Sequence, residues 1–411
     1  MADQKPGQFF SGNTNSFNVS HSYNGAGTYR KDGKTPWPTP FPPGFPFGAA
    51  GGGFDPNKLI NHLEGVFGRG AIGNQVPAMT QNIVNGVIVP GGGLSRAVES
   101  EWKMNVGIGQ GTFGAVFLEQ VEVSRHGVTE YELWAVKRIP KGVQSFPAEQ
   151  YKKEIALLGA LKQNELFVKF IKSTEDEHHV YIAMEYLPLG DMSKSFADYK
   201  WGENDVHVVM EQLLMGVAIM HEKGIAHRDL KPENVFLWLP DPDQPALRVK
   251  IGDFGTSKRI PVNNNATFLH TTAGTISYMA PEVDGDDMQP AYTQGVDVWS
   301  LGCIMFRAVT GHVPFGGRRD VWQYSMGGQF PPAGVENIGL SRDAIGFLAA
   351  LLQPDPKSRP SAGECLKLPW ITNKPSSPHF LIGADLHKRL RTRQIADLAK
   401  LDAEIKGETS N

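Results

Sequence analysis

Three glycines, in Gly109-Gln110-Gly111-Thr112-Phe113-Gly114, run straight into the apolar stretch Ala115-Val116-Phe117-Leu118. Glycine lets backbone amides approach phosphate oxygens with no side chain in the way. The same spacing opens dinucleotide sites, but there a helix follows the last glycine at once and an acid stands about 20 residues on. Here a strand follows instead, and no Gly-Lys-Ser/Thr completes a Walker-type loop. Downstream, Trp134-Ala135-Val136-Lys137 ends a second apolar strand on a lysine. Such a lysine is an ordinary solvated edge charge unless a counter-charge meets it. Glu154, on a predicted helix over 147–161 and on the side of Ile155 and Leu158, can supply one.

The rest of the chain divides by pattern. Short β-branched and aromatic runs broken by glycines predict strands over 101–137, with further strands near 167–171 and 180–187. After Gly190 the chain reads as mainly helical up to Trp370. A strand-rich part followed by a helix-rich part predicts an α+β architecture of two packed lobes with a cleft between them. Residues 1–98 are rich in Gly, Asn, Ser and Pro, and are expected to be largely disordered because they cannot bury enough apolar surface to offset the lost entropy. One island stands out: Asp55-Pro56 offers a helix start, followed by Leu59, Ile60, Leu63, Val66 and Phe67 at helical spacing. It reads as a transient helix or a short docking helix. The segment 372–411 begins polar, then predicts a helix with Leu386, Leu390, Ile395, Leu398 and Ile405 on one broad face and Lys388, Arg389, Arg391 and Arg393 near its start. A solvated packing helix, a regulatory segment lying on the preceding domain, a calmodulin target and a nuclear-import signal all fit that pattern.

Composition narrows the classes. A formal net charge of −3 gives no bulk basicity for nucleic acid or an anionic membrane. No run of about 18 apolar residues predicts a membrane span, and residues 1–20 carry no continuous apolar core of a secretory signal. The only cysteines, Cys303 and Cys365, exclude a disulfide framework and are expected to be buried free thiols. That favours a reducing compartment, hence an intracellular location in cytoplasm, nucleus or both.

The densest motif is His227-Arg228-Asp229-Leu230-Lys231-Pro232-Glu233-Asn234, followed by Asp253-Phe254-Gly255, Gly274-Thr275, Tyr278 and Ala280-Pro281-Glu282. With the glycine stretch and Lys137 in front of them, these ordered motifs resemble the eukaryotic protein kinases over residues 102–371. The resemblance implies a catalytic domain over 99–371, with a strand-rich N-lobe at 99–186, a helical C-lobe at 187–371 and an ATP site in the cleft. It implies that Gly109, Gln110, Gly111 and Gly114 cover the phosphates, and that Val116 and Ala135 belong to the nucleotide site. Lys137, braced by Glu154, holds the α- and β-phosphates. Met184 guards the back of the adenine pocket, and Glu185-Tyr186-Leu187 forms the hinge that bonds to adenine. Asp253 and Asn234 hold Mg²⁺, a hard cation that suits carboxylate and carbonyl oxygen. Asp229 orients the substrate hydroxyl and takes its proton, and Lys231 reaches the γ-phosphate. Asp297 steadies the catalytic loop, and Arg359 pairs with Glu282.

Lys231-Pro232-Glu233-Asn234 resembles the serine/threonine type, and the general look is loosely similar to calcium/calmodulin-dependent and checkpoint-type kinases. Protein substrates are therefore expected, with Glu233 and Asp191 favouring basic residues upstream of the phosphorylated position. Arg228 is of the kind that pairs with a phosphate on the activation segment, which makes Thr267, Thr271 and Thr272 candidates, the last two as targets of an activating kinase. A pseudokinase would be favoured by loss of Lys137, Asp229 or Asp253, and a lipid or small-molecule kinase by loss of the stretch Gly274–Glu282; all are present. Two departures from the family pattern are a polar turn around Ser124–Glu130 and an insertion, Trp238–Pro245, expected to be a surface hairpin extension.

Overall fold

The computed structural model describes residues 22–24, 28–30, 106–111, 114–125, 128–142, 148–196, 200–259, 276–284, 294–327, 330, 335, 338–373 and 379–406. A seven-stranded antiparallel sheet forms the first lobe. Its strands are β1 (Ser22–Asn24), β2 (Thr28–Arg30), β3 (Val106–Gly111), β4 (Gly114–Arg125), β5 (Val128–Pro140), β6 (Phe170–Glu175) and β7 (His179–Glu185). The early half of β5 meets β2 at Thr28 and Tyr29, and its later half pairs with β7. Thus a hairpin from within residues 1–98 joins the sheet; the island at 55–67 lies outside the described residues.

Side chains alternate along these strands, as a period of two requires. Trp134 and Val136 pack with Val121, Tyr181 and Ala183 on one face, while Leu118 and Leu133 pack on the other. Helix α1 (Ala148–Leu161) lays Ile155, Leu158 and Leu161 against Ile139 and Ile182.

The second lobe holds the short strands β8 (Ile225–Ala226), β9 (Val235–Trp238), β10 (Arg248–Ile251) and β11 (Lys258–Arg259) and most of the helices. Helix α2 (Glu203–Glu222) is buried nearly all round, as its apolar circumference demands. Helix α3 (Gly295–Thr310) packs beside it and is closed by Gly311, whose φ of 85° suits a residue without a Cβ. Then come α4 (Arg318–Ser325), α5 (Arg342–Leu351), α6 (Ala362–Cys365), α7 (Pro369–Thr372) and α8 (Ala384–Lys406). Ser341 caps α5 by accepting the Ala344 N–H, and Ser361 with Glu364 forms a reciprocal capping box on α6. One apolar core runs from Ile139 and Leu158 through α2 and α3 to Leu390 of α8, so the two lobes share it. Cys303 and Cys365 are free and buried within it.

The polar turn around 124–130 lies at the end of the β4–β5 pair, which stays paired out to Arg125 opposite Val128. Two expectations need correction. The insertion 238–245 is a surface hairpin extension only in part: Asp243 and Gln244 are exposed, but Trp238 and Leu239 are buried beneath α8. On α8 itself Ile395 is exposed and Gln394 takes the inner position between Leu390 and Leu398.

Candidate active site

β8 and β11 pair antiparallel and bracket the two loops that carry the acidic residues. The loop after β8 is held from below by Asp297, wholly buried on α3. Asp297 accepts the backbone N–H of His227 at 2.8 Å and of Arg228 at 2.7 Å, and meets His221 Nε2 at 2.9 Å. Burial alone would raise its carboxyl; the bond to His221 and the nearby imidazoles outweigh that and hold it below the usual range. The His227 ring packs against Phe254, centroids 5.3 Å apart, and its Nε2 meets Gly252 O at 3.0 Å. Arg228 and Asp253 both stand at positive φ, 71° and 55°, so each of these two loops carries a strained residue; Phe380, at 52°, is the third such non-glycine among the described residues.

This scaffold gathers Asp229, Lys231 and Asn234. Lys231 Nζ lies 2.8 Å from Asp229 Oδ2. Asn234 Nδ2 donates to Asp229 O at 2.7 Å and to Asp229 Oδ2 at 3.2 Å. The amide nitrogen of Asn234 is thereby committed inward, and its carbonyl oxygen enters no hydrogen bond among the described residues.

Lys137 comes from β5, far away in sequence, and its Nζ meets Glu154 Oε1 of α1 at 2.7 Å and Asp253 Oδ1 at 3.0 Å. Burial opposes a charge on this amine, but the two carboxylates outweigh it and hold its pKa above the usual lysine range. Asp253, which burial would push up, is carried down by Lys137. Gln150 of α1 donates to Gly255 O at 3.0 Å, so the same helix grips the turn after Asp253. No pattern in the sequence singles out Gln150 or His221.

The glycine stretch forms the turn between β3 and β4, with Gln110 opposite Ala115 and Gly111 opposite Gly114. A Cβ on Gly114 would sit 2.1 Å from Arg138 O, so the fold itself demands that glycine. Among the described residues, a Cβ on Gly109 would meet only Val116 Cβ, at 3.8 Å. Those residues leave the space open, as a phosphate-covering loop requires. Val116 lies opposite Lys137, and Ala135 opposite both Leu118 and Met184. The Glu185 carboxylate accepts from Lys169 N at 2.7 Å and Lys250 Nζ at 2.6 Å, so it is spoken for by the protein. Leu187 accepts the Gly190 N–H through its carbonyl, while its own N–H finds no acceptor among the described residues.

Among the described residues the site fits ATP and Mg²⁺ on these grounds: an unused backbone donor between the lobes, open space at Gly109, a buried cation at Lys137, and two hard oxygens, Asp253 Oδ2 and Asn234 Oδ1, that enter no hydrogen bond. Among the described residues no group of three or more His, Cys, Asp or Glu could hold a metal; magnesium is commonly held by one or two carboxylates with substrate phosphates and water. Below the site, Arg359 makes a two-pronged pair with Glu282, at 2.7 and 3.1 Å. Gly274, Thr275 and the candidates Thr267, Thr271 and Thr272 lie outside the described residues. Among the described residues no helix is long and apolar enough to cross a membrane.

The arrangement is that of a two-lobed phosphotransferase, and the protein kinase domain family matches residues 102–371: the chain belongs to that family. It is 31% identical over 327 residues to the serine/threonine-protein kinase RAD53 of Saccharomyces cerevisiae, covering 74% of this chain and 38% of that protein. It is 30% identical over 296 residues to the calcium/calmodulin-dependent protein kinase type 1 of Caenorhabditis briggsae, covering 71% of this chain and 77% of that one. A CDPK-related kinase 8 of Arabidopsis thaliana is 33% identical over 285 residues, 68% of this chain and 45% of its own length. The chain thus spans less than half of two of these three relatives. Its catalytic domain is of the serine/threonine protein kinase class.

Proposed function

We propose that this chain transfers the γ-phosphate of ATP to serine and threonine hydroxyls of protein substrates. The observation that carries the reading is the convergence of Lys137, Glu154 and Asp253 at 2.7 and 3.0 Å, from three separate elements, beside the Asp229–Lys231–Asn234 group. Phosphoryl transfer needs positioning and charge neutralisation more than covalent help. Lys137 holds the α- and β-phosphate oxygens, and Glu154 fixes its amine. Gly109, Gln110, Gly111 and Gly114 cover the phosphates, Val116, Ala135 and Met184 contact the base, and the Glu185–Leu187 backbone bonds its edge. Magnesium, held by Asp253 and Asn234, would neutralise phosphate charge. Asp229 orients the incoming hydroxyl and receives its proton as the new O–P bond forms and the bond to the ADP oxygen breaks. Lys231 stabilises the oxygens of the group in transit.

The domain occupies 99–371, its lobes meeting after Tyr186, within an intracellular protein. Glu233, exposed and outside every described hydrogen bond and ion pair, favours a basic residue upstream of the target. Asp191 contributes less, because its carboxylate already caps Ser193 N and lies 3.5 Å from Lys194. An activating kinase acts on Thr271 or Thr272, with Arg228 as partner of the phosphate.

The test is transfer from γ-labelled ATP to a mixed protein substrate, followed by identification of the labelled amino acids. Label on serine and threonine supports the reading; absence of label, with or without prior phosphorylation of Thr271 and Thr272, overturns it. A peptide array without basic preference removes the role of Glu233.

A further inference from the structure

The insertion 238–245 and the helix α8 are both outside the reading above, yet they meet. Strand-like bonds bring the chain in: Leu247 N–H donates to Phe380 O at 3.0 Å and Ile382 N–H to Pro245 O at 2.9 Å. Gly383 N–H then donates to Asp205 at 2.6 Å, just before α8 begins. The side-chain amide of Gln394, wholly buried, accepts the Leu239 N–H at 3.0 Å and donates to Leu239 O at 2.9 Å. Leu239 is also fully buried, so the insertion finds both backbone partners on α8. Next to it, Arg393 donates to Leu189 O at 2.6 Å and Ser195 Oγ at 3.1 Å. His387 meets Pro242 O at 2.9 Å.

These polar contacts fix α8 both along and around its axis, because a buried amide satisfied at both ends tolerates one register. Beyond Gln394 the same face leaves the helical lobe. Leu398 packs on the cluster of Val168, Leu187 and Trp238, to which Met184 also belongs. Leu401 is buried with Leu118 and Leu133 on the underside of the sheet, where Val106, Ile108 and Tyr186 close around it. From Leu386 to Leu401 the helix rises roughly 22 Å. One helix thus links the helical lobe, the connecting segment and the strand that leads into Gly109. In the same structure Lys137, Glu154 and Asp253 are in contact, so the docked helix is compatible with an assembled site.

We propose that α8, seated on the 238–245 insertion, is a cross-lobe strut that positions the nucleotide site, with Leu401 as the positioning residue that holds the roof strands over the hinge. The proposal rests on the kinase reading above for the identity of the nucleotide. It differs from a solvated packing helix, which would contribute stability alone, and from a restraining segment, whose loosening would raise activity.

The test uses the full chain with Leu401→Ala, Gln394→Ala and, as a control on the exposed face, Ile395→Ala. KM for ATP, KM for peptide, kcat and amide exchange over residues 106–111 and 131–140 are measured. Leu401→Ala and Gln394→Ala are expected to raise KM for ATP roughly 2- to 30-fold, leave KM for peptide unchanged and speed exchange in both strand segments; Ile395→Ala is expected to do neither. If Leu401→Ala does not fold, Leu401→Val is read in the same way. An unchanged KM for ATP with only a lower Tm overturns the strut, as does a rise in kcat/KM. Amide exchange needs no catalysis: a chain that transfers no phosphate overturns the kinase reading, while unchanged exchange overturns the strut.

Discussion

Asp297 Oδ1 accepts the backbone N–H of Arg228 at 2.7 Å, and Arg228 holds a φ of 71°. A non-glycine residue in that region costs about 1–3 kcal/mol. Hydrogen bonds to a charged acceptor contribute about 1.5–3 kcal/mol each, and Asp297 makes two to this loop, so the strained turn that presents Asp229 is held in place from the helix beneath it.

Asp297→Asn keeps the shape but leaves one acceptor oxygen for two amides. Stability to urea is expected to fall by roughly 2 kcal/mol, and kcat by about 100-fold as Asp229 loses its position. Equilibrium ATP binding should be unchanged, because Lys137 and the glycine stretch do not depend on Asp297.

The carboxyls of Asp297 and Asp253 are both held below the usual range in the folded chain. Their stabilising effect is complete above the unfolded aspartate pKa of about 3.9 and is lost as pH falls through the lower folded values. Tm is therefore expected to drop steeply on the acid side of about pH 4. In Asp297→Asn that slope should be shallower; an identical slope would remove Asp297 from the account.

The grouping of the motifs was legible in the sequence because their residues are neighbours: Asp229, Lys231 and Asn234 sit within one loop, and Gly114 is fixed by its close approach to Arg138. The family and the two-lobed α+β fold followed from their order. What was not legible depends on contacts between distant segments. Gln394 is polar and buried while Ile395 is apolar and exposed, an inversion that the two hydrogen bonds between the Gln394 amide and the Leu239 backbone account for. Glu185 reads as a hinge residue, and nothing local signals that its carboxylate is held by Lys250 and Lys169 N.

Lys137→Met removes the cation between two carboxylates. Glu154 is then left buried and without its ion-pair partner, which is expected to destabilise the chain by about 3–5 kcal/mol. Loss of the proposed phosphate contact should lower kcat by about 100- to 1,000-fold. Calorimetric unfolding and steady-state rates measure the two effects separately.

Arg359→Lys retains the charge but not the planar fork that meets both oxygens of Glu282 as well as Gln353 O and Gly295 O. A loss of about 3 kcal/mol is expected from a buried pair made imperfect, read as a lower urea midpoint. Equal stability of the lysine variant would show that charge alone suffices there.

The most direct test is Asp229→Asn in a single-turnover assay with bound ATP and a serine peptide. Transfer is expected to slow by about 100- to 10,000-fold while ATP affinity stays at the wild-type value, because the proposed role of Asp229 is toward the hydroxyl and not toward the nucleotide. Wild-type transfer by the variant would contradict the account, since the phosphoryl group would then be moving without the residue around which the site is built.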